Sequence, residues 1–290
     1  MEERKPVWTT SSFLVYAGGF VVLLSALGAL GYLSSRYGDA AYAGWAALFF
    51  ALLSGIADGH RHRHRWTTAG IFAFAAVVAW GVFVGALWAW FGWLHASTAA
   101  APFAGFSLAR LSLEALVVAA AWSYRRRYGF PLLRSISAVV GWYFVADLVS
   151  GGGTWTAIVT VLVGLLYLAA GSGSDDPSSF WLHLVGGVLV GGSVLDWLHS
   201  GDWEWALVAV LALGYVGIAT ATNRSSWAVL AAIGLLAAAT HFAVEWTRVP
   251  VPVIGGTGGG APRLWVPSLV FAFTGFLLVS LGLRSRRRAA

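Results

Sequence analysis

The chain has 290 residues, of which 59% are hydrophobic and only 10% are charged, and its formal net charge is +6. A soluble domain carries about 25% charged residues, so this composition excludes an ordinary water-soluble fold and predicts an integral membrane protein. The absence of cysteine excludes disulfides, iron–sulfur clusters and cysteine nucleophiles, and the single lysine, Lys5, lies before the first apolar run, where it could not form a retinal Schiff base inside the bundle.

Apolar runs long enough to cross a hydrocarbon core about 30 Å thick recur along the chain. They are continuous rather than alternating, which favours helices over strands. No small-residue cleavage site follows the first run, so we keep it as a helix and not as a removed signal peptide. The predicted fold class is all-α and integral to the membrane, with ten transmembrane helices at residues 11–33, 40–57, 69–94, 102–124, 131–150, 154–171, 180–199, 203–221, 226–246 and 264–283.

Basic residues are concentrated in alternate connections between these helices. Only Arg36, Arg248 and Arg263 fall on the opposite side. By the positive-inside rule this asymmetry predicts an even number of helices, cytoplasmic N- and C-termini and, for a bacterial protein, the cytoplasmic membrane. The residues on the cytoplasmic side are Arg4, Lys5, Arg61, Arg63, Arg65, Arg125, Arg126, Arg127, Arg224, Arg284, Arg286, Arg287 and Arg288.

A weak internal repeat relates the two halves of the sequence. FLVYAGGFVVLLS at 13–25 is similar to WLHLVGGVLVGGS at 181–193, and a Gly-Asp pair at 38–39 recurs at 201–202, each introducing the next helix. This predicts two four-helix units in parallel orientation, helices 1–4 and 7–10, of the kind that builds a site between repeats. Chance similarity between apolar, glycine-rich segments is the alternative. The corresponding domains are a cytoplasmic lead at 1–10, a first unit at 11–127, a linking helix pair at 128–178 and a second unit at 179–290.

Ionisable residues at membrane depth are costly, so those that occur are candidate functional groups. Arg110 and Glu114 are four residues apart on one face of a predicted helix, where they could neutralise each other or bind an anion and a proton. With Asp147 and His241 they form the predicted ion- or substrate-binding set, in an outward-facing polar cavity.

A second set would suit a divalent metal such as Zn, Mn or Fe. Asp196 and His199 are three residues apart, and His241 and Glu245 are four apart, so each pair projects from one helical face. The alternative is that these residues lie at wet helix ends in the membrane interface. No cofactor is otherwise predicted, and the metal remains an alternative.

Two segments resemble known sequences. The opening FLVYAGGFVVLLSALGALGYLSSRYGDAAYAGWAALFFALL, at 13–53, looks like the start of an uncharacterised family of multi-pass bacterial membrane proteins, and NRSSWAVLAAIGLLAAATHFAVEW, at 223–246, is similar to a segment of related actinobacterial proteins. The resemblance covers about a third of the chain. It implies a multi-pass membrane protein and assigns no catalytic residue.

Three functions are compatible with these patterns. The first is a transporter or channel for a small solute or ion, the second a membrane-embedded metal-dependent enzyme, and the third an accessory or scaffold protein whose buried charges are structural. No hydrolase signature supports the enzyme. The expected partners are the lipid bilayer and either a second copy of the chain or another membrane protein, and no nucleic acid.

Overall fold

The computed structural model describes residues 10–94, 106–149, 154–174, 176–197, 201–222, 224–247, 270 and 272–275. Within these ranges the regular elements are helices and no strand occurs, so the predicted all-α class is confirmed for them. The predicted helix at 264–283 lies mostly outside the described residues. The helices are α1 (Thr10–His62), α2 (Trp66–Trp90), α3 (Leu108–Tyr128), α4 (Leu133–Val149), α5 (Thr154–Ser172), α6 (Ser179–Trp197), α7 (Asp202–Thr222) and α8 (Ser225–Thr247).

Helix α1 corresponds to the first two predicted helices and is broken at a single glycine. Gly38 has φ 78° and ψ 177°, a backbone conformation that residues with a Cβ rarely adopt. The sequence predicts a longer connection here, at residues 34–39. The structure shortens that connection because the polar residues around Gly38 keep helical geometry, and only the glycine leaves it.

Six helical segments among the described residues are long and apolar enough to cross a membrane. Their surfaces carry exposed large hydrophobic side chains such as Leu48, Leu52, Leu162 and Leu166. Such an exterior suits contact with acyl chains and not with water. The chain is therefore a multi-pass helical membrane protein by the length and composition of its helices. The six segments are Arg36–His62, Trp66–Trp90, Trp155–Ser172, Ser179–Asp196, Asp202–Thr222 and Ser225–Glu245.

The chain divides into two compact units, residues 1–185 and 186–290, with the division inside α6. In the first unit each helix from α1 to α4 packs against the helix that follows it, and in the second unit α7 packs against α8. The core of the first unit includes several fully buried alanines, among them Ala57, Ala69, Ala73 and Ala121. Small side chains let neighbouring helix backbones approach closely where no hydrophobic effect drives them together.

Both ends of α3 are fixed by capping residues. The Ser107 side chain accepts a hydrogen bond from the backbone N–H of Arg110 at the N-terminal end, and Gly129 ends the helix in the left-handed conformation at φ 61°. Because only a short connection separates Tyr128 from Leu133, α3 and α4 are antiparallel neighbours. This arrangement places the start of α3 beside the end of α4.

Candidate functional site

A buried ion pair joins the first turn of α3 to the last turn of α4. The guanidinium Nη2 of Arg110 donates a hydrogen bond to Oδ1 of Asp147. Arg110 is 5% exposed and Asp147 is 0% exposed, so other parts of the protein shield both charged groups from the solvent and lipid outside. In such a place each charge depends on the other for its stabilisation.

Glu114 adds a second carboxyl to this ion pair. It lies one helical turn after Arg110, is 8% exposed, and its carboxyl interacts electrostatically with that of Asp147 and with the Arg110 guanidinium. Its Oε2 atom is buried, and no donor in the described part of the chain reaches it. Two carboxyl groups can form a hydrogen bond with each other only if they hold a proton between them. We refer to Arg110, Glu114 and Asp147 as the ionic cluster.

The charge balance of the ionic cluster depends on that proton. The guanidinium of Arg110 is permanently charged, and two ionised carboxylates beside it would leave one uncompensated negative charge. An uncompensated charge away from water costs several kcal/mol. The arrangement is electrically neutral when Glu114 and Asp147 carry one proton between them, which is the chemistry of a proton-binding site.

Three of the four predicted ion-binding residues therefore come together, and His241 belongs to the second unit. His241 stacks on the Trp205 ring, with centroids 4.7 Å apart, and its Nε2 lies 3.1 Å from Oδ1 of Asp202. The sequence does not predict this contact. Asp202 stands out in the sequence only as a residue that introduces a helix, and it is separated from His241 by 39 positions along the chain.

The predicted metal set is not assembled in the described residues. Asp196 and Glu245 are exposed, and His199 lies outside the described ranges. Among the residues that the structure describes, no group of three His, Asp or Glu side chains is placed to hold a metal ion. A site that includes His199 stays a prediction.

A second polar contact that the sequence does not predict joins the ends of α1 and α3. Arg127 donates to Oδ2 of Asp58 at 2.8 Å, and the Tyr128 hydroxyl donates to Oδ1 of the same carboxylate at 2.7 Å. Ser54 and Tyr124 exchange a hydrogen bond of 2.7 Å one turn away. Two features of the sequence could have indicated this contact. Asp58 is an acidic residue near the end of an apolar helix, and the three arginines at 125–127 offer it an oppositely charged partner.

His183, near the start of α6, is almost fully buried, at 1% exposed. Its Nε2 lies 3.0 Å from the Ser172 hydroxyl, and its ring packs against Gly171. These contacts within the first unit are those of a hydrogen-bonded packing residue.

Comparison of the chain with family models, with curated proteins and with solved structures gives no match. The functional argument therefore rests on the geometry of the ionic cluster.

Proposed function

We propose that this protein is a transporter that moves a small monovalent anion across the membrane together with a proton. The observation that carries the proposal is the ionic cluster, in which a buried guanidinium is paired with one carboxyl that also faces a second. Arg110 is the anion-binding group, and Glu114 and Asp147 are the proton-binding groups. The three residues are buried, so the proposal requires that the protein open an outward-facing polar path to them during transport.

Neutrality of the buried cluster sets the stoichiometry. Before the anion arrives, one positive guanidinium, one carboxylate and one protonated carboxyl sum to zero charge. An anion that binds Arg110 displaces the Asp147 carboxylate, which must then take up a proton to avoid an uncompensated buried charge. One anion therefore enters with one proton, and the transport step carries no net charge.

The proposed topology is ten transmembrane helices in the bacterial cytoplasmic membrane, with both termini in the cytoplasm. Helices α3 and α4 cross the membrane in this proposal, because their charges pair with each other inside the protein instead of facing lipid. The contact of Asp58 with Arg127 and Tyr128 supports the proposed sidedness, since it brings together two basic segments that the positive-inside rule assigns to one side. The parallel repeat of helices 1–4 and 7–10 is part of the same proposal.

The experiment is anion-driven proton uptake into proteoliposomes that contain the full chain and an entrapped pH dye. With chloride or nitrate outside, the wild type is expected to acidify the lumen at a rate that a membrane potential does not change. Glu114→Gln cannot exchange a proton at that position, so uptake should fall at least about a hundredfold, the low end of what a positioned proton-transfer group typically contributes. Arg110→Gln should abolish uptake.

Glu245→Gln is the matched control, because it removes the charge of an exposed carboxylate outside the ionic cluster. It should transport as the wild type does. If folded wild-type protein transports neither anion with protons, the cluster is structural and the chain is better described as an accessory membrane protein. If Glu114→Gln transports normally, the proton-binding role of Glu114 is refuted.

A further inference from the structure

An open groove of about 430 Å³ lies between α3 and α4 on the first unit. Its volume falls in the range of small-molecule sites, roughly 300–1,000 Å³. The walls are mainly apolar, and none of the residues that line the groove is acidic. The apolar lining residues are Ala115, Val118, Ala119 and Trp122 of α3 and Gly141 and Phe144 of α4.

One end of the groove is basic. Arg125 and Arg134 line it where α3 ends and α4 begins, and the Ser137 hydroxyl lies there too. The Arg125 Nη2 donates to the buried Ser178 hydroxyl at 3.2 Å, which fixes the position of that guanidinium. A third cation, Arg126, lies over the exposed Trp122 ring, with its Cζ 3.5 Å from the ring centroid. The groove is thus apolar along its length and has two arginines at one end.

The length of the groove fits one leaflet of a bilayer. Arg125 follows Ala115 by ten residues, and Phe144 follows Arg134 by ten, so each wall extends for about 15 Å at a rise of about 1.5 Å per residue. This is half of a hydrocarbon core about 30 Å thick. The arginines belong to the end that the basic residues assign to the cytoplasmic surface, where anionic headgroups lie.

We propose that this groove binds an anionic phospholipid, with one acyl chain along the apolar walls and the phosphate group between Arg125 and Arg134. The lipid differs from the transported anion, because its headgroup end lies at the opposite end of α3 from Arg110. Arginine suits this role, since its planar guanidinium can hold two phosphate oxygens at once.

The test is native mass spectrometry of the full chain in detergent, titrated with phosphatidylglycerol or with phosphatidylcholine of the same acyl chains. The wild type should retain one phosphatidylglycerol in preference to phosphatidylcholine. Arg125→Gln/Arg134→Gln should lose that preference, by about fivefold for each arginine. Arg63→Gln removes an exposed charge outside the groove and should keep the preference.

A second variant fills the groove without touching its charges. Ala119 is exposed in the groove, so Ala119→Phe should exclude both lipids while the protein stays folded. The control is Leu116→Phe, which is on the same helix but outside the groove lining and should exclude neither lipid. An unchanged preference in the double arginine variant, or full lipid retention in Ala119→Phe, would overturn the proposal. Displacement of the lipid by millimolar inorganic phosphate would also overturn it, because the site would then be one for a free anion.

Discussion

At the scale of single residues, the feature that sets this chain apart from a bundle of apolar helices is the pairing of Arg110 with Asp147. Neither residue is exposed enough for water to replace its partner. Removal of one charge therefore leaves the other uncompensated, whereas removal of both leaves only the Glu114 carboxyl, which is neutral when protonated, among apolar neighbours. The two cases have opposite consequences for stability.

We accordingly expect Arg110→Met to lower the free energy of unfolding by roughly 3–5 kcal/mol, and Arg110→Met/Asp147→Leu to recover most of that loss. Reversible unfolding in mixed detergent and SDS measures both values. Arg63→Met, an exposed arginine in the connection after α1, should change the free energy by less than about 0.5 kcal/mol. If the double variant is no more stable than the single one, the two residues are not coupled.

The sequence predicts part of this cluster. The spacing of Arg110 and Glu114 places them on one face of a helix, and the cost of charge in a membrane singles them out. The sequence does not show that Asp147 is the partner, because the rotation of α4 about its own axis depends on packing and not on hydropathy. The contacts of His241 with Asp202 and Trp205 could not be predicted for the same reason. They join α8 to α7, and the sequence of neither helix shows how the two pack.

At the scale of helices, α2 depends on a glycine at its contact with the segment that joins α3 to α4. A Cβ atom at Gly70 would collide with the ring of the buried Phe130. The ring belongs to the core of the first unit, so its displacement would disturb the buried side chains of that core. The close approach therefore requires glycine at this position.

Gly70→Ala should destabilise the protein by about 1–3 kcal/mol, despite the better helix propensity of alanine. Gly85→Ala is the control in the same helix, since its Cβ would meet only Leu113 at an ordinary 3.9 Å. That variant should be neutral or slightly more stable. Thermal unfolding in detergent distinguishes the two, and equal melting temperatures would contradict the packing described for Gly70.

Helix ends are less predictable from hydropathy than helix cores. The predicted fourth helix stops at residue 124, before the three arginines, whereas α3 continues to Tyr128. The reason is that Gly129, in the left-handed conformation, ends the hydrogen-bonded ladder, while arginines are good helix formers that carry the helix on toward water. Charge thus indicates where a helix leaves the membrane, and the capping residue determines where it ends.

At the scale of the whole molecule, the distribution of basic residues predicts which connections share a side of the membrane. The chain contains no cysteine, so a single introduced cysteine reports its own location without background labelling. In intact bacterial cells an impermeant thiol reagent should label Trp203→Cys, at the start of α7, and should not label Arg63→Cys or Ser174→Cys. All three should react after permeabilisation. Labelling of Arg63→Cys and Ser174→Cys from opposite sides would contradict the proposed topology.

The class of the molecule, a multi-pass helical membrane protein, could be predicted from composition and apolar runs alone, because runs of this length are typical of transmembrane helices. The boundary between the two compact units could not, because it lies at residue 185, inside α6. The domains predicted at 1–10, 11–127, 128–178 and 179–290 stay a prediction. A boundary within a continuous helix leaves no composition change for the sequence to show.

Infrared spectroscopy can detect a proton held between Glu114 and Asp147 inside the protein. The reconstituted wild type should show the absorption band of a protonated carboxyl group near neutral pH. The band should be absent in Glu114→Gln and unchanged in Glu245→Gln. A wild-type spectrum without that band, identical in this region to the spectrum of Glu114→Gln, would show that the two carboxyl groups hold no proton.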